Sequence, residues 1–156
     1  MTPLPSAEED KDESTDLSIR REYFAADGSP YDLANARAAD IVHVKLTLKS
    51  AIERDYADLV IEDLLPGAFE PVKAPYRSGI PGWGMPGWML RSDARDDRML
   101  VFSTKFHMRK DDEVEFTYPV RIVSPGEFAL PGVAVEGMYH PGLRARARGA
   151  RIVVRD

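Results

Sequence analysis

Val114-Glu115-Phe116-Thr117-Tyr118-Pro119-Val120-Arg121-Ile122 alternates apolar with other side chains from end to end. A period of two places Val114, Phe116, Tyr118, Val120 and Ile122 on one face of a strand and Glu115, Thr117 and Arg121 on the other. Pro119 has no N–H to give to a ladder, which predicts a sheet edge or a bulge at that point. Turn signals bracket the stretch: Lys110-Asp111-Asp112 before it and Ser124-Pro125-Gly126 after it.

The same pattern recurs in both directions. Upstream, Leu17, Ile19, Arg21 and Tyr23 alternate with Ser18, Arg20 and Glu22, and Asp27-Gly28-Ser29-Pro30 turns the chain. Leu33 to Ala39 has the composition of one short helical turn. Ile41 to Leu48 reads as a half-buried strand, with Val42, Val44, Leu46 and Leu48 inward and His43, Lys45 and Thr47 outward. Leu59 to Leu65 is a strand stopped by Pro66-Gly67. Arg98 to Thr104 is another. Downstream, Phe128 to Leu130, Val133 to Glu136 and Arg151 to Arg155 follow one another between Pro and Gly turns. About eight or nine short strands, with little helical periodicity, predict an all-β fold: an antiparallel two-sheet β-sandwich.

The chain has 156 residues, enough for one domain plus a tail. Residues 1–16 carry Glu8-Glu9-Asp10 and Asp12-Glu13 with few apolar anchors, and read as a disordered acidic linker. Residues 17–156 read as the sandwich domain. A net charge of −5 disfavours nucleic acid and anionic membranes as partners. The absence of cysteine removes disulfides, thiolate zinc sites and cysteine nucleophiles. No run approaches the ~18 apolar residues that span a bilayer. An N-terminus without an apolar core suggests that an exported parent would carry its address elsewhere.

Catalytic chemistry finds little footing. Ser103 and Ser124 lie in no nucleophile-elbow pattern. His43, His107 and His140 are far apart in sequence, without metal-ligand spacing. The aspartates around Asp93 to Asp97 and Asp111-Asp112 read as turn residues rather than a calcium loop. No metal or cofactor is expected, and the chain reads as non-enzymatic. Arg144, Arg146, Arg148 and Arg151 form either a solvated basic face or a dock for an acidic partner. Residues 71–88 are irregular, being rich in Pro and Gly. Trp83 and Trp88 there either cover a sheet end or offer a platform to a partner or sugar, as in a stand-alone binding module. Gly137-Met138-Tyr139-His140-Pro141-Gly142 is a tight loop. Its Met138 and Tyr139 either fill a pocket on another domain or fold inward to close the sandwich.

Several blocks together resemble a known family. Asp63-Leu64-Leu65-Pro66-Gly67-Ala68-Phe69-Glu70 is similar to a signature of the C-terminal macroglobulin-like (MG10) domain of bacterial alpha-2-macroglobulins. Asp96-Asp97-Arg98, Phe116-Thr117-Tyr118 with Arg121, Ser124 to Phe128, and Leu130-Pro131 followed by Glu136 to Pro141 resemble its later blocks in order and spacing. The family usually has Asp at the place of His140 and an acidic residue at that of Gly142. The resemblance implies the last domain of a periplasmic, lipid-anchored protease trap. In such a protein bait cleavage triggers a rearrangement, and a thioester on another domain couples to the protease. It implies that Met138 and Tyr139 shield that thioester. The implied partners are the thioester domain and the neighbouring macroglobulin domains, with target proteases engaged only indirectly.

Overall fold

The computed structural model describes residues 13–14, 16–72 and 88–156. Its strands are β1 (Glu13–Ser14), β2 (Leu17–Ala25), β3 (Ala36–Arg37), β4 (Ile41–Ser50), β5 (Arg54–Tyr56), β6 (Leu59–Leu64), β7 (Phe69–Pro71) and β8 (Met89–Ala94). They continue with β9 (Arg98–Ser103), β10 (Phe106–Met108), β11 (Glu113–Ile122), β12 (Gly126–Leu130), β13 (Val133–Gly137), β14 (His140–Ala147) and β15 (Ala150–Arg155). One 3-10 turn, Leu33–Asn35, stands where a short helical turn was expected. The Asp32 carboxylate caps it by accepting the Ala34 N–H at 3.0 Å.

Two sheets form the sandwich. The larger has the order β1-β14-β13-β6-β9-β8, and the facing sheet the order β2-β4-β11-β7. Period-two alternation sends one row from each into a shared core. In the smaller sheet Leu46 lies opposite Phe116, Val44 opposite Tyr118 and Val42 opposite Val120. The larger sheet contributes Leu59, Ile61, Val101, Val133, Val135 and Ala145, all buried. Fully burying a side chain of the Leu or Val size contributes about 1.5–3 kcal/mol, so these rows supply most of the driving force. Two smaller sheets, β12-β15-β3 and β10-β5, close the ends. Among the described residues all strand pairings are antiparallel except that of β15 with β3.

Three expectations need correction. First, β11 carries no bulge at Pro119, which sits in unbroken register opposite His43, and it lies between β4 and β7, although among the described residues β7 pairs only with Val120 to Ile122. A residue's N–H and C=O point to the same side of an antiparallel strand. The Pro119 carbonyl accepts the Val72 N–H at 3.1 Å, so the missing donor faces the end of β7, where that short strand has already stopped. Second, β4 is not half-buried, because His43 and Thr47 on its outer face are each 1% exposed. Burial accordingly lowers the His43 pKa. Third, His140, Pro141 and Gly142, read as part of the tight loop, already belong to the strand β14, which runs from His140 to Ala147.

β1 pairs with β14, Glu13 opposite Arg146. Asp16 is also held: its carbonyl accepts the Ala51 N–H at 2.7 Å and its carboxylate pairs with Arg54 at 3.1 Å. Ordered pairing therefore reaches into the stretch read as acidic linker, while residues 1–12 lie outside the described residues.

Candidate interdomain site

The β13–β14 hairpin carries Met138 and Tyr139 as its two-residue tip. Register runs evenly from Val133 opposite Ala147 to Glu136 opposite Arg144, then shifts so that Gly137 faces His140. The shift marks a bulge in the hairpin just before the tip. At Gly137 a Cβ would lie 3.2 Å from the His140 carbonyl oxygen, so the close crossing favours glycine.

Both tip side chains point outward. Met138 is 52% exposed and Tyr139 73%. Neither side chain folds inward to close the sandwich. The backbone behind the tip is fixed. The Met138 N–H donates to the Asp58 carbonyl at 3.0 Å, and Gly137 lies opposite Leu59 on β6. Asp58 itself has φ 53°, in the left-handed region that few side chains other than Asn and Asp enter readily. The next amide, Leu59 N–H, donates to Ser103 Oγ at 2.9 Å.

An aromatic group supports this end of the molecule. The Tyr56 and Phe106 rings stack with centroids 5.7 Å apart, and Trp88 packs on Phe106 at the same distance. Trp88 is 8% exposed and its indole N–H donates to the Glu115 carbonyl at 3.1 Å. It therefore covers a sheet end and offers no exposed ring, which removes it from the expected binding platform. Trp83 lies outside the described residues.

The other polar candidates are accounted for locally. Ser103 is buried, with its oxygen engaged by Leu59. His107 bridges Asp55 at 2.7 Å and Glu53 at 3.2 Å. The Asp55 hydrogen bond, followed by that of Glu53, raises its pKa above the usual histidine value. Asp112 accepts the Arg109 N–H at 2.8 Å, as a turn aspartate does. Among the described residues no group of three or more His, Asp or Glu is placed to hold a metal ion.

Sequence reading missed a buried polar cluster in the core. Arg21 of β2 reaches across the sandwich to Asp63 of β6 at 2.5 Å and to the Pro131 carbonyl at 2.7 Å. The Tyr118 hydroxyl of β11 donates to the other Asp63 oxygen. Burial raises the Asp63 carboxyl above the usual range, against the pull of Arg21 and Tyr118. Burial, then the Asp63 charge, lifts the Tyr118 hydroxyl well above its ordinary value. The signal was available, because Arg21 and Asp63 both fall on the inward side of their strands' alternation.

Comparison with known proteins places this geometry. The family model "Bacterial Alpha-2-macroglobulin MG10 domain" matches residues 17–142. Alpha-2-macroglobulin of Rickettsia conorii is 24% identical over 94% of this chain, and that of Escherichia coli K12 26% over 88%. The chain spans 8% and 9% of those two proteins. Among solved structures, a mutant Salmonella alpha-2-macroglobulin superposes with TM-score 0.78 at 25% identity, covering 99% of this chain and 10% of that one. Trypsin-activated Escherichia coli alpha-2-macroglobulin gives 0.77 at 25% identity, covering 100% and 11%.

Proposed function

Because the chain belongs to the bacterial alpha-2-macroglobulin MG10 domain family, we propose that it works as a non-enzymatic domain of a much larger protease-trapping protein, where Met138 and Tyr139 shield a neighbour's thioester. One observation carries the reading. Two apolar side chains stand in solvent on a loop whose backbone is pinned from behind. A free chain gains nothing by that exposure, whereas a neighbouring domain with a matching hollow would bury both residues.

The chemistry suits the residues. A thioester carbonyl is attacked by any amine that reaches it: a C–N bond forms, the C–S bond breaks, and the sulfur leaves as a thiol. Survival requires that water and amines be kept away. A tyrosine ring covers the group, and its hydroxyl is available to donate a hydrogen bond that fixes the arrangement. A lid on an interdomain hairpin also leaves as a unit when domains move after bait cleavage, so it relays the change. Proteases then meet the parent rather than this domain. The proposal includes a periplasmic site of action with the parent anchored by lipid, which fractionation of expressing cells tests.

In the intact parent, Tyr139→Gly is expected to speed methylamine-driven release of the thiol severalfold or more. An unchanged rate removes the role given to Tyr139.

A further inference from the structure

We infer that Asp58 and Ser103 are positioning residues for the Met138–Tyr139 tip, acting through the backbone and touching nothing beyond this domain. The inference rests on the shielding role proposed for the tip. Three observations link the residues. The Asp58 carbonyl is the acceptor for the Met138 N–H. Asp58 holds that bond from a left-handed backbone, at φ 53°. The following amide, Leu59 N–H, is held by Ser103 Oγ, and both Leu59 and Ser103 are buried.

The chain of constraint is physical. In a regular ladder Leu59 N–H would be satisfied by a neighbouring backbone carbonyl. Here a side-chain oxygen from β9 takes it, and because Leu59 N–H and the Asp58 carbonyl belong to one planar peptide and point opposite ways, that bond fixes the carbonyl toward the hairpin. The left-handed residue Asp58 then begins the turn out of β6 while its carbonyl stays on the next rung of the β6–β13 ladder, opposite Met138. An exposed two-residue loop with one fixed amide samples fewer conformations, so Tyr139 is offered to its partner already oriented. Pre-orientation of this kind strengthens binding by removing an ordering cost. The Asp58 side chain is exposed, so the backbone carries the effect.

The test separates backbone from side chain. Glycine enters the left-handed region freely, whereas a β-branched residue is strained there. In the intact parent, Asp58→Val is expected to speed methylamine-driven thiol release on the order of fivefold to tenfold, the shift a strained two-state loop produces. Asp58→Gly is expected to stay close to wild type. Ser103→Ala, which strands the Leu59 N–H, is expected to behave like Asp58→Val. Hydrogen exchange of the peptide spanning residues 136–143 supplies a second readout. It should quicken there in Asp58→Val and Ser103→Ala while protection of β4 and β11 is unchanged. A uniform rise in exchange would mean general destabilisation and would overturn the inference. So would equal rates for Asp58→Val and wild type while Tyr139→Gly remains fast, and so would equally fast Asp58→Val and Asp58→Gly. If Tyr139→Gly is also unchanged, the shielding role itself fails.

Discussion

Asp63 occupies an inward position on β6, and the fold answers it with Arg21 and Tyr118 instead of with apolar neighbours. A buried ion pair of this kind contributes little net stability, but breaking it is expensive. Asp63→Asn leaves the Arg21 guanidinium, 5% exposed at its side chain, without a countercharge. The expected loss is about 3–5 kcal/mol, read by urea denaturation. Replacing Arg21 and Asp63 together with Met and Leu is expected to recover most of it. His107 is one residue through which pH acts on stability. Its pKa is raised in the fold by Asp55 and then Glu53, so its stabilising effect is complete below the unfolded value of about 6.5. The effect is lost as pH rises through the folded value. The stability gap between wild type and His107→Gln should therefore be wider near pH ~6 than near pH ~9 in denaturation curves. A gap of constant size would mean that the two ion pairs do not matter.

At the scale of elements, close backbone approaches decide which residues the turns accept. Gly149 joins β14 to β15 beside the β12–β13 turn. A Cβ there would sit 2.0 Å from the Leu130 carbonyl oxygen. Gly149 needs no left-handed φ; it is space that excludes a side chain. Gly149→Ala is expected to destabilise by about 1–3 kcal/mol in thermal or chemical melts, since backbone on both sides must move. Gly142, with nothing within 4 Å of its Cβ position, should accept alanine with little change. β14 shows why elements of this kind are hard to read. Leu143 and Ala145 alternate with Arg144 and Arg146, yet alanine gives little strand signal and four arginines draw the eye to charge.

For the whole molecule, the sources of stability and the tip proposed to act on a neighbour lie apart in space. The core rows and the Arg21–Asp63–Tyr118 cluster lie inside the sandwich, while Met138 and Tyr139 stand outside it. Changing both tip residues to serine is expected to shift unfolding by less than about 0.5 kcal/mol, the usual range for surface positions. The same change in the parent should shorten the thioester lifetime. A large loss of stability would instead mean that the tip packs on its own domain. The chain covers only about a tenth of the solved relatives' chains, so the shielding role can be measured only in the parent.

The sequence alone determined the architecture, because period-two alternation in Leu17–Tyr23, Ile41–Leu48 and Val114–Ile122 allows few burial patterns other than a sandwich. It also located a turn at Met138-Tyr139, through Gly137 before the pair and Pro141-Gly142 after it. The side to which the tip turns was decided by tertiary structure, since the bulge after Glu136 and the Asp58 carbonyl come from register and from a strand far away in sequence. The fate of Trp88 and the tolerance of Pro119 were settled in the same way. A ring is buried, or a missing N–H is harmless, only according to which neighbour lies alongside, and alternation along one strand carries no information about its neighbours.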